Sequence, residues 1–96
     1  MNREKIQAVS KYLQAKFPSC EIRDRCHFDR MAQLFRIECK ERTYFVLVAR
    51  EFLDDHTEEE IPQILDRLSL AESLRQIERN HRIIVKYEGL EKERID

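Results

Sequence analysis

Residues 43–49 read Thr43-Tyr44-Phe45-Val46-Leu47-Val48-Ala49, and the reading of this run decides the fold. β-Branched and aromatic residues fill it, glycine and proline are missing, and it is far too short to cross a bilayer. The run is therefore a strand, expected to extend from Thr43 to Glu51. Tyr44, Val46 and Val48 face one side of it, and Phe45, Leu47 and Ala49 the other. A strand apolar on both sides is normally covered on both sides. Either helices pack on both faces of its sheet, or a second copy of the chain covers one of them.

Working back from this strand, Leu34 to Lys40 alternates, with Phe35, Ile37 and Cys39 on one face and Arg36, Glu38 and Lys40 on the other. The short Glu41-Arg42 connection lacks the Asn-Gly pair of the tightest hairpins, which leaves the register open by one residue. Residues 20–28 form an earlier strand, with Ile22, Cys26 and Phe28 against Arg23, Arg25 and His27. Asp24 interrupts its apolar side, as expected of a bulge or an edge. Residues 29–32 turn the chain. Ahead of them, Ile6, Val9, Leu13 and Phe17 recur at helical spacing, so residues 2–16 are a helix, capped by Asn2 and stopped by Pro18.

Working forward, residues 51–60 carry Glu51, Asp54, Asp55, Glu58, Glu59 and Glu60 with no Lys or Arg. Thr57 with Glu60 forms a capping box, and the stripe Ile61, Ile64, Leu65, Leu68, Ala71, Leu74, Ile77 is helical. Ser69 with Glu72 makes a second capping box inside the stripe. Two helices, about 60–68 and 70–79, are expected to meet there at a bend. Arg82 to Tyr87 is a last strand, with Ile83, Val85 and Tyr87 on one side, and Gly89 ends the fold. The expected architecture is α+β, a two-layer sandwich in the order helix, three strands, one or two helices, strand, with a mostly antiparallel sheet. Residues 1–89 make the domain, and residues 90–96 a charged C-terminal tail.

Composition narrows the function. Of 96 residues, 18 are Lys or Arg and 19 are Asp or Glu, a net charge of -1 that excludes a uniformly basic nucleic-acid binder. The single glycine excludes phosphate-cradling loops and dinucleotide fingerprints, which need several. Met1 to Ile6 is charged at once and is no signal peptide, so a soluble cytoplasmic protein with no membrane contact and three reduced thiols is expected. Cys20, Cys26, His27 and Cys39 have the residue types of a metal site but not its spacing. On a strand Cys20 and Cys26 face away from His27, so the cysteines are expected in the core and no metal is assigned.

The sharpest candidate for chemistry is Glu38-Cys39-Lys40 with Asp29 before it. Two carboxylates and an ammonium on one surface can hold Mg²⁺ and orient an attacking water. The element order and this Glu-x-Lys resemble the core of Holliday-junction resolvases and restriction-type nucleases. That resemblance implies metal-dependent phosphodiester cleavage by Asp29, Glu38 and Lys40. It departs from the family in placing the Glu-x-Lys on the second strand rather than the third. The competing account is a solvated strand face whose alternating charges pair across strands.

A second candidate is a basic sheet face of Arg23, Arg25, His27, Arg36 and Lys40, suited to phosphate or to an acidic partner. The order helix, three strands, helix also resembles double-stranded-RNA-binding domains. Those need a basic start to the second helix, and here Glu58-Glu59-Glu60 stands in its place. The acidic run Asp54, Asp55, His56, Glu58, Glu59 lacks the central glycine of a calcium loop. The reading that remains is a small non-enzymatic interaction or adaptor domain without cofactor that self-associates as a homodimer or binds another protein. Val46, Val48, Phe45 and Leu47 would supply its core and contact layer. Its element order is similar to that of small secretion chaperones, which also build dimers from a helix-and-sheet sandwich.

Overall fold

In the computed structural model, which describes residues 2–87 and 89–95, Asn2 accepts from the Glu4 and Lys5 amides at 2.8 and 3.4 Å and opens α1, Arg3–Lys16. Strand β1, Glu21–His27, follows, then a 3-10 turn over Phe28–Arg30 and β2, Ala32–Glu38. After β3, Thr43–Ala49, come three short helices: α2, Arg50–Asp54, α3, Glu60–Arg67, and α4, Leu70–Gln76. The chain finishes with β4, His81–Lys86, and β5, Gly89–Arg94. The α+β class and the mostly antiparallel sheet are as expected. The strands lie in sequence order, β1-β2-β3-β4-β5, and only β3 and β4 run parallel.

All four helices pack on one face of this sheet. Ile6, Val9 and Leu13 of α1 are buried together with Phe52 and Leu53, Ile61 and Leu65, and Leu70 and Leu74. They meet Phe35, Ile37, Val46, Val48, Ile83 and Val85, the residues that alternation sends to that side. Helices on both faces, one of the two coverings open to a doubly apolar strand, are not what the chain adopts. The second face carries a smaller cluster of Ala32, Leu34, Leu47 and Ile84 with Phe45 against it, and no helix residue joins it.

The ends of the strands need correction first. β3 stops at Ala49 and not Glu51, because Phe52 and Leu53 are both buried to 1% exposure. Neighbours on a strand point to opposite faces, and one helical turn brings both to the core. Residues 90–94 are not the charged tail expected, since Gly89–Arg94 pairs along β4 from Lys86↔Gly89 to His81↔Arg94. Gly89 has φ 142°, a conformation open to glycine, and it leads into this strand rather than ending the fold. Asp96 lies outside the described residues. Tyr87 does not join the core side of the last strand, because β4 ends before it and it is 63% exposed.

The capping boxes divide. Thr57 and Glu60 bond reciprocally, amide to side chain, at 2.8 and 3.2 Å. Ser69 caps nothing with its side chain; it takes φ 59°, ψ 42°, and this left-handed residue makes the bend between α3 and α4. In the β2–β3 hairpin the Cys39 amide donates to the Arg42 carbonyl at 2.9 Å. The chain therefore reverses over Lys40 and Glu41, one residue earlier than expected. Asp24 sits on an edge strand without a bulge, since β1 and β2 pair continuously from Glu21↔Glu38 to His27↔Ala32.

Candidate interaction surface

The residues singled out for function fall on the helix-free face of the sheet, and the register fixes their neighbours. One row crosses all five strands as Arg25, Leu34, Leu47, Ile84 and Glu91. Beside it Arg23, Arg36 and Phe45 lie opposite one another on β1, β2 and β3. Between the arginines lies a groove of about 590 Å³ lined by Arg23, Asp24, Arg25, Leu34, Arg36 and Phe45. Its floor is apolar and its walls are cationic, because alternation puts every second residue of β1 and β2 on this side.

The arginines are unequally satisfied. Arg23 and Arg36 share Glu38, at 3.2 and 2.9 Å, and Arg23 also meets Glu21. The Arg25 side chain has no ion pair or hydrogen bond among the described residues and is exposed. Across the sheet the charge is reversed in arrangement. Glu93 of β5 takes a two-fold contact from Arg30, at 3.1 and 3.0 Å, and another from Arg82. Those hydrogen bonds hold its carboxyl down to about 2. Glu91 pairs with Lys86 at 3.0 Å.

The set Asp29, Glu38 and Lys40 is not brought together. Asp29 lies in the 3-10 turn beyond His27, where His27 pairs with Ala32. Glu38 is at the other end of β2 opposite Glu21, roughly 20 Å away at the rise of a strand. One cation cannot bridge carboxylates so far apart. Glu38 is instead held by arginines, and Lys40 sits in the hairpin turn. No group of three or more His, Cys, Asp or Glu side chains suited to a metal occurs among the described residues.

The cysteines overturn the expectation of three free thiols. Cys20 and Cys39 form a disulfide, with Cα atoms 4.4 Å apart, and Cys26 alone is free among the described residues. The register explains it: Glu21 faces Glu38, so the residues one step outward on each strand stand opposite. Disulfides persist in oxidising surroundings and are rare in reducing ones, so the bond fits a non-reducing environment. No helix among the described residues is long and apolar enough to cross a membrane.

Two features of this face go beyond what the sequence suggests. Glu91 and Glu93 belong to a strand rather than a tail, and their period-two alternation with Lys92 and Arg94 is the signal that could have found it. Phe45 is not a core residue; half-buried, it forms part of the groove's apolar floor. The histidines take local roles, His56 Nδ1 against the Phe52 carbonyl at 2.7 Å and His81 Nδ1 against that of Arg79 at 3.2 Å. Compared with family models, with curated proteins and with solved structures, the chain matches none of them.

Proposed function

We propose that this chain is a protein-interaction domain, and that the arginine-walled groove on its helix-free face receives an extended acidic segment. The observation that carries the reading is Arg25, a cation with no partner among the described residues, beside an apolar floor of Leu34 and Phe45. Charge complementarity selects an acidic occupant, and the period of the strand selects one with carboxylates at alternate positions. The contact layer differs from the one that sequence patterning suggests. Val46 and Val48 lie beneath the helices and Leu47 is 0% exposed, so the charged rim and Phe45 carry the contact. The metal-dependent phosphodiesterase reading has no support in the separation of Asp29 from Glu38.

The test is fluorescence anisotropy with a labelled peptide of alternating Glu and Val, run beside a single-stranded oligonucleotide of equal charge. The peptide is expected to bind, at least tenfold more weakly to Arg25→Glu, with affinity falling as salt rises. Tighter binding of the oligonucleotide would replace this reading with nucleic-acid recognition. Equal peptide binding by the wild type and Arg25→Glu would remove the groove from it.

A further inference from the structure

Three adjacent rows of the sheet end in residues that complement one another. On the helix-free face the row from β1 to β5 begins at Arg25 and ends at Glu91. The next row, on the helix face, is Asp24, Phe35, Val46, Ile83 and Lys92, with the signs exchanged. A third is Cys26, Gln33, Val48, Val85 and Leu90, with no charge at either end. Each row thus carries at its β5 end the partner of its own β1 end.

We propose that copies of this chain join edge to edge, β5 of one against β1 of the next, continuing the sheet. The inference rests on the reading of Arg25 as the receiver of carboxylates that an extended segment carries at alternate positions, and names Glu91 and Glu93 on β5 of a second copy as their source. Strand direction permits it. From the pairing, β1 and β3 run one way and β2 the other, β4 follows β3, and β5 opposes β4. A copy displaced sideways therefore sets β5 antiparallel to β1, with its helices on the same face. The register that continues the rows pairs Arg25 with Glu91, Asp24 with Lys92, Arg23 with Glu93 and Cys26 with Leu90. Over the residues that would pair, Arg23 to Cys26 and Leu90 to Glu93, both edges are open: among the described residues no backbone hydrogen bond reaches their outer side.

The same charges oppose the two-fold pairings centred on Asp24 and on Lys92. Antiparallel pairing of β1 with β1 sets Arg23 against Arg25 and Asp24 against itself. Pairing β5 with β5 opposes Glu91 to Glu93 and Lys92 to Lys92. Like charges directly opposite are unfavourable in a sheet. In those registers each edge opposes its own kind, whereas β5 against β1 sets opposite charges together, a head-to-tail contact that does not stop at two. The homodimer expected from the sequence gives way here to a longer assembly.

Sedimentation velocity of the full chain over a concentration series, at low and high salt, tests this. The mass is expected to grow past the dimer with concentration and to fall with salt. Arg25→Glu and Glu91→Arg are the variants. Arg25 has no partner to lose among the described residues, Glu91 has only Lys86, and circular dichroism checks that both fold. Each variant alone sets like charges against each other at positions 25 and 91, and should need at least tenfold more protein to assemble. An equimolar mixture should recover the wild-type behaviour, because alternating copies again oppose one acid to one base at every junction. A wild type monomeric to millimolar concentration, or a mixture without recovery, overturns the proposal, as does a dimer indifferent to both substitutions. Peptide binding by a chain that stays monomeric would overturn the assembly and leave the interaction reading. Assembly without peptide binding would do the reverse.

Discussion

Asp24 shows how one residue can look misplaced in a pattern and still belong. It lies on the core side of β1, its side chain 12% exposed, where it accepts from Gln33 at 2.8 Å and pairs with Arg3 at 3.0 Å. Gln33 is itself 4% exposed, so its amide depends on that carboxylate. Asp24→Ala should lower stability by about 1–3 kcal/mol, the cost of stranding a buried donor, as read by urea unfolding. Asp24→Asn keeps an acceptor and should recover part of it. At Glu93 the contacts from Arg30 and Arg82 depress the carboxyl from its usual 4.5 to about 2. A depressed folded value means that the stabilisation is full above 4.5 and is lost as pH falls toward 2. The stability difference between wild type and Glu93→Gln should therefore shrink over that acid range, as followed by unfolding at a series of pH values.

At the scale of elements, the capping residues separate cleanly. Thr57→Ala should cost about 1 kcal/mol, since it removes a formed reciprocal cap, whereas Ser69→Ala should cost little because that hydroxyl caps nothing. Ser69→Gly should stabilise by roughly 0.5–1 kcal/mol at its left-handed φ. Thermal unfolding of the three variants side by side checks both statements. The contrast also shows what local pattern reveals. α1, β2 and the run of β3 were legible because apolar period and burial coincide in them. α2 was not, since its acids read as a solvated loop while Phe52 and Leu53 anchored it to the core. β5 was not, because it has charges on both faces and only Leu90 packs against the core. Its strand character comes from the neighbour β4. The arginine face was legible residue by residue, but the opposing acids were hidden with β5, and with them the complementarity of the two edges.

At the scale of the whole molecule, the disulfide closes the open end of the β1–β2 hairpin across a sequence separation of 19. Reduction releases a loop of that length and should lower stability by about 3 kcal/mol on the chain-entropy account. Denaturant unfolding with and without reductant measures it, and a shift below a few tenths of a kcal/mol would assign the bond no such role. The parallel join of β3 to β4 has a consequence for the order of folding. β1 to β3 form a meander of neighbours, and β4 with β5 a hairpin, both closing over short stretches of chain. Their union must wait until a connection of roughly thirty residues has been drawn in, an entropic cost that grows slowly with length but precedes every contact that offsets it. The seam between β3 and β4 is thus the natural last step of folding and the first to part. Hydrogen exchange should find the amides of β4 and β5 opening together as one cooperative unit, while those of β2 hold until the whole chain unfolds.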